Sequence, residues 1–395
     1  MLSRRVAWSM AALAALTSTV SYIDRQTFSV LAPKICEALH ISETGYGVLT
    51  SAFAVAYLVS TPLSGWWLDR VGARRGLVGS VLVWSVIAAL HALVPGFAVM
   101  FAFRIALGLA EGPSFPGAAQ TIQRVLPSGS RSRGFGLLFT GSSIGGMIVP
   151  PLAAWLYATA HSWRVAFLGT AVAGLLWVPA WIALTRRADV REILDARAPD
   201  AAPRPRWRTV ARDPAMIRGL VAVFATAPIS LFAQIWGAKY LVRTFHVAQE
   251  NVGHYLWLPP LLFDAGALLF GDLAARFPRR VRVTYGVALL LALVIALLPS
   301  VHGEWQAMAV LGIASAGGGG MYVVCTADLL SRVAPNAISL AGGTLAGAQS
   351  LSMIVAGPLV GAAVGHFASY SQVALVLAPI VATGAIAWIV SGARR

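Results

Sequence analysis

Apolar residues run through this chain in long unbroken blocks, neither alternating in twos nor confined to one face of a 3.6-residue repeat. Twelve such blocks recur, near 7–33, 44–68, 76–94, 97–120, 133–158, 162–184, 216–241, 253–275, 281–300, 305–328, 336–365 and 370–391. Most approach or exceed the roughly 20 residues a helix needs to cross a ~30 Å hydrocarbon core. Inside lipid a backbone N–H or C=O has no water to bond, so each block is predicted as a helix. The first block opens with Arg4 and Arg5 before Val6–Val20, which imitates a signal peptide. Its apolar character continues past Ser29, so it is read as an uncleaved first span.

Composition agrees with this pattern. Of 395 residues, 58% are hydrophobic and 11% charged, against about 25% charged in soluble domains. Disorder, a nucleic-acid-binding arm and a secreted scaffold are thereby excluded. The net charge of +15 would suit a polyanion partner only if the basic residues shared a face. Instead they fall in alternate loops: Arg70, Arg74 and Arg75; Arg124, Arg131 and Arg133; a cluster from Arg186 to Arg218; Arg276 to Arg282; Arg332; Arg394 and Arg395. The opposite loops carry Lys34, Arg164, Lys239 and Arg243. The excess of basic residues marks the cytoplasmic side, so both termini are expected in the cytoplasm and the spans in a bacterial-type inner membrane, with lipid and no nucleic acid as surroundings. Cys36 and Cys325 are too few for a disulfide framework or a metal site, and no cofactor is expected. The tryptophans are expected mostly at span ends, as an aromatic belt.

The segment 185–215, with Pro199, Pro203, Pro205 and Pro214 among many charges, reads as a cytoplasmic linker. It separates a six-helix half over 1–184 from a second over 216–395. Gly65 to Arg70 with Arg74-Arg75 recurs in weakened form as Gly271 to Arg276 with Arg279-Arg280. Parallel repeats of this kind place a substrate site near the bilayer midplane.

Ionisable residues in mid-span are costly and so are functional candidates. The first span carries Asp24 and Arg25, the fourth Arg104 and Glu111, and the eighth Asp264. Arg104 and Glu111 are two helical turns apart, about 10 Å along one face, and Arg25 falls at a depth between them. Four charges can therefore meet in the N-terminal half. They could be structural ion pairs. Alternatively, protonating one acid frees an arginine for an external anion, as a proton-coupled anion carrier requires. Asp264 is read equally as a coupling acid or a helix-to-helix contact. Gln234, Lys239, Gln349 and Ser350 could bind hydroxyls or a carboxylate, although Gln349 and Ser350 also suit helix packing and Lys239 could snorkel to an interface. Asp328 with Arg332, and Arg164, read as structural.

Gly65, Asp69, Arg70, Gly72, Arg74 and Arg75 form G-x-x-x-D-R-x-G-x-R-R between the second and third spans. This resembles the signature loop of the major facilitator superfamily, in which it acts in gating and stability. Arg104 to Gly108, and more loosely Gly141 to Pro150, resemble further signatures of that superfamily. Tyr22 to Arg25 with Ser29 and Pro33, and Arg104 through Glu111-Gly112 to Phe115-Pro116, resemble the anion:cation symporter family. Trp236, Lys239 to Leu241 and Trp257 to Pro259 with Asp264 are most similar to its hexuronate-type branch, from which Ala238 and the Gly317–Gly320 run depart. The resemblance implies the major facilitator fold, with Asp24 and Glu111 as proton-coupling acids, Arg25 and Arg104 as anion-handling bases, and Tyr57 as a substrate contact.

The expected protein is therefore a monomeric secondary carrier, not an enzyme, moving a small organic anion such as a sugar acid with protons by alternating access. A proton-antiport exporter of amphipathic compounds would instead show a wide apolar cavity with isolated acids. A membrane sensor would call for a signalling appendage.

Overall fold

The computed structural model describes residues 2–195, 213–332 and 338–391. The centre of the expected linker, 196–212, and Arg394 and Arg395 lie outside them. Every regular element among the described residues is a helix. Twelve are long and apolar enough to cross a membrane: Arg4–Val30, Glu43–Val71, Ala73–Leu93, Phe97–Val125, Ser128–Ala160, Trp163–Thr185, Pro214–Phe245, Gln249–Arg276, Pro278–Ser300, Glu304–Arg332, Ala341–Phe367 and Tyr370–Ser391. The all-α, twelve-span architecture expected from the sequence is found, and the protein is a multi-pass membrane protein.

The connection between the second and third spans is shorter than expected. One helix ends at Val71, the next begins at Ala73, and Gly72 alone turns the chain, with φ of 82°. In that left-handed region a side chain would be strained.

At three prolines within spans, a serine from another span replaces a missing backbone donor. A proline has no N–H, so the carbonyl four residues earlier loses its intrahelical donor. In the fourth span, Pro113 separates Phe97–Glu111 from Ser114–Val125, and the carbonyl of Leu109 accepts from Ser60 Oγ at 2.6 Å. In the seventh, Pro228 frees Phe224, whose carbonyl accepts from Ser352 Oγ at 2.8 Å. In the eleventh, Pro358 frees Ile354, whose carbonyl accepts from Ser51 Oγ at 2.8 Å. A serine from another span completes the backbone each time, as an apolar surrounding demands.

The chain divides into two compact units. The first comprises the described residues of Met1–Ile41 and Ala52–Asp200 with Gln249–His254; the second comprises those of Ser42–Ser51, Ala201–Ala248 and Tyr255–Arg395. In the first, the fifth span lies so close to the first that a Cβ on Gly141 or Gly145 would meet backbone atoms of Ala15 or Thr19. Thr19 Oγ1 adds a hydrogen bond to the Gly141 carbonyl at 2.8 Å. Small residues permit this approach, which supplies dispersion contact where lipid offers no hydrophobic drive. In the second unit the Gly317–Gly320 run is buried, and its four missing side chains make room in turn for Ala288 and Ala292, Ser230, Phe263 and Phe270. The tenth span thus lies against the seventh, eighth and ninth at once.

Several tryptophans turn inward instead of forming a belt, although Trp163, Trp181 and Trp388 do stand near span ends. Trp84, Trp163, Trp177, Trp181, Trp236 and Trp388 are buried within the protein. Trp177 and Trp181 stack at 4.9 Å and donate their indole N–H groups to the carbonyls of Leu13 and Arg74. A large ring that satisfies its one donor on a backbone carbonyl is an inexpensive way to fill a helix interface.

Candidate anion and proton site

The first unit brings the four mid-span charges together. Asp24, Arg104 and Glu111 are at most 1% exposed, and Arg25 is partly buried. Arg25 Nη2 donates to Glu111 Oε2 at 2.9 Å, and the same oxygen accepts from Ser21 Oγ at 2.7 Å. The broken fourth span explains the position of Glu111, the last residue before the Gly112-Pro113 interruption. A Cβ on Gly112 would collide with Ser60, so the second and fourth spans meet closely there. Glu111 Oε1 and both oxygens of Asp24 complete no hydrogen bond among the described residues.

Aromatic rings hold the arginines. The Arg25 guanidinium carbon lies 4.6 Å from the Tyr57 centroid, 4.7 Å from Phe53 and 5.1 Å from Tyr22. That of Arg104 lies 4.7 Å from Phe53 and 4.6 Å from Phe28. Phe53 is therefore shared, and the two cations are no farther apart than twice its distance from either. His91, buried on the third span beside Arg104, stacks on Phe167 at 5.3 Å. Its Nδ1 lies 2.8 Å from the Ile87 carbonyl, which can only accept. Nδ1 thus carries a proton. Ser21, Phe53, Trp84 and His91 were not singled out by sequence. Ser21 and Phe53 stand one helical turn before Arg25 and Tyr57, which was the only available hint.

In the second unit Lys239 does not snorkel. It is fully buried on the seventh span, with Nζ 2.6 Å from Glu43 Oε2 and 4.9 Å from the Tyr46 ring. The phenol of Tyr46 donates to the Ile235 carbonyl at 2.7 Å. Burial leaves no route to an interface, and the carboxylate supplies the counter-charge that the sequence reading lacked. Ser350 Oγ donates to the Ala346 carbonyl of its own helix at 3.2 Å. Gln234, Gln349 and Asp264 are partly buried on the seventh, eleventh and eighth spans. Asp328 accepts from Arg332 at 2.6 Å and from Arg218 at 2.7 Å, the structural helix-end pairing expected, extended by one partner. Arg164 likewise donates to the carbonyls of Ala92 and Val94.

At the Gly72 turn, Asp69 Oδ1 accepts from Gln120 Nε2 at 3.0 Å, and Arg70 lies over the Trp66 ring. Arg74 forms a two-pronged pair with Asp195, Nη2 to Oδ2 at 2.7 Å and Nε to Oδ1 at 3.0 Å. Arg124 Nη1 donates to the Leu194 carbonyl. A short helix, Ala188–Asp195, is thereby fastened to the third and fourth spans. Arg75 is exposed, and a Cβ on Gly65 would meet nothing within 4 Å.

The model of the Major Facilitator Superfamily matches residues 14–357. The chain belongs to this superfamily. A hexuronate transporter of Escherichia coli (strain K12) is 25% identical over 360 residues, covering 85% of this chain and 82% of that protein. A galacturonate transporter of Dickeya chrysanthemi is 26% identical over 290 residues, 70% of this chain and 84% of that one. A D-galactonate transporter of Escherichia coli O6:H1 is 26% identical over 408 residues, 95% and 93%. Among solved structures, a bacterial homolog of the human lysosomal transporter Spinster superposes with a TM-score of 0.84 at 18% identity, over 98% of this chain and 97% of that one. At that identity the likeness is one of fold. This major facilitator chain, like its relatives, is a transporter and not an enzyme.

Proposed function

We propose that this protein is a secondary carrier that moves a small organic anion of the sugar-acid class together with protons. Two six-helix halves, 1–184 and 216–395, joined by 185–215, would alternate access to the substrate, with both termini in the cytoplasm. The observation that carries this reading is the buried Arg25–Glu111 pair beside Asp24 and Arg104. While Glu111 is ionised it holds Arg25. A proton on Glu111 removes that charge and leaves the guanidinium to a substrate carboxylate, which it can grip with two parallel N–H donors. Asp24 supplies a second protonatable carboxyl in the same buried cluster. Tyr57, whose ring lies against the Arg25 guanidinium, would touch a substrate held there. The relatives that carry hexuronates, galacturonate and galactonate support a hydroxylated carboxylate as the cargo.

The test is uptake by purified protein in proteoliposomes. An imposed inward proton gradient should drive accumulation of labelled galacturonate or galactonate above equilibrium, and an ionophore that collapses the gradient should reduce it to exchange. Equal accumulation with and without the gradient would reject proton coupling.

A further inference from the structure

Asp24 carries a buried carboxyl whose two oxygens complete no hydrogen bond among the described residues. The first and third spans touch. On the third, Trp84 is fully buried, and its indole N–H is also unbonded. The indole of Trp84 interacts with the Asp24 carboxyl. Two orphan polar groups of opposite type, side by side in an apolar interior, have no reason to be there unless they serve each other in some state. Packing alone would be met by phenylalanine, and Trp177 and Trp181 show that other tryptophans of the same unit do find carbonyl acceptors.

We propose that Trp84 is a positioning residue for proton coupling, its indole N–H completing a hydrogen bond to Asp24 whenever that carboxyl is ionised. This rests on the reading of Asp24 as a coupling acid. A neutral donor favours the carboxylate over the carboxylic acid without adding a charge that would trap the substrate anion. The proton taken up resides on an Asp24 oxygen, and the indole keeps its own throughout. Among charged groups, Glu111 of the fourth span acts on Asp24; Arg104 of the fourth span neighbours Glu111 and His91, and Arg25 and Tyr22 lie on the same helix as Asp24. The fifth and sixth spans also pack on the first, but the charged residues described there, Arg131, Arg133 and Arg164, stand at their ends.

Infrared difference spectra of the purified protein, recorded across a pH titration, test this without a substrate. The protonated-carboxyl band that disappears in Asp24→Asn belongs to Asp24, and its midpoint is the quantity to read. Trp84→Phe should move that midpoint to more alkaline pH by about one unit, a tenfold gain in proton affinity. Genetic incorporation of 3-benzothienylalanine at position 84, which exchanges the N–H for sulfur in a ring of nearly the same shape, should do the same and covers the case in which Trp84→Phe does not fold. An Asp24 band whose midpoint is unchanged by loss of the indole N–H overturns the role of Trp84 and leaves Asp24 as a coupling acid. An Asp24 that shows no titrating band at all overturns the coupling reading, and this proposal with it.

Discussion

Arg25 and Glu111 are joined at 2.9 Å across 86 residues of sequence, the glutamate wholly buried and the arginine reaching it past three aromatic rings. Charge-preserving replacement should not rescue such a contact. Arg25→Lys has a single ammonium in place of a planar fork and should weaken galacturonate binding by at least about tenfold, or ~1.4 kcal/mol. Glu111→Gln fixes the neutral state. It should abolish gradient-driven accumulation while retaining exchange between equal concentrations, read as counterflow in proteoliposomes. Wild-type affinity in Arg25→Lys, or full accumulation in Glu111→Gln, contradicts the arrangement.

The Glu43–Lys239 pair should be asymmetric. Lys239 is fully buried and Glu43 has a fifth of its side chain in reach of solvent. Removing the carboxylate strands a buried ammonium, whereas removing the ammonium leaves a carboxylate that water can reach. Glu43→Ala should therefore destabilise by more than Lys239→Met, by as much as about 3–5 kcal/mol, with the double variant recovering part of the loss. The order of the three unfolding midpoints in detergent decides this, and Lys239→Met as the worst variant would reject it.

Acid should release the Ala188–Asp195 helix. The Arg74 guanidinium hydrogen-bonded to Asp195 holds its carboxyl below the usual carboxylate range. A carboxyl depressed in this way contributes its stabilisation fully above the ordinary carboxylate pKa and loses it as pH falls through the depressed value. Protease cleavage after residues 186–191 should therefore rise below pH ~4 in the wild type, and be raised already at neutral pH in Asp195→Asn. A neutral-pH cleavage rate in Asp195→Asn equal to that of the wild type would show that the pair fastens nothing.

Ser352→Ala leaves the Phe224 carbonyl without a donor and should lower stability by about 1 kcal/mol. Pro228→Ala restores the missing N–H four residues on, so in that background the serine should no longer matter. An additive double variant, measured by thermal unfolding, would mean that the serine does not replace the proline's absent donor.

The spans were legible because crossing lipid imposes one requirement, a long apolar run with its backbone bonded internally, and every block of the chain meets it. Asp24, Arg25, Arg104 and Glu111 were legible because charge is rare at such depth. The contacts that fix them were not. Trp84 was hidden among thirteen tryptophans, because nothing in the sequence marks which of them turn into the protein. Glu43 stands at the head of its helix, where an acid needs no further explanation, so nothing in the sequence paired it with Lys239. Asp195 lies 121 residues from Arg74, in a stretch whose charges read only as linker. Periodicity reports which residues must be buried; it does not report which of two distant chain segments will meet.

The serine-held prolines carry one last implication. A hydrogen bond between helices inside a membrane protein is worth about 0.6 kcal/mol on average, which is no more than thermal agitation itself. Ser60, Ser352 and Ser51 therefore act as weak clasps at points where a proline interrupts the backbone ladder of a partner helix. Each clasp can come undone and refasten many times within the microseconds to milliseconds of a collective helix motion. A carrier built this way would bend first at Leu109, Phe224 and Ile354, at places chosen by three missing hydrogens.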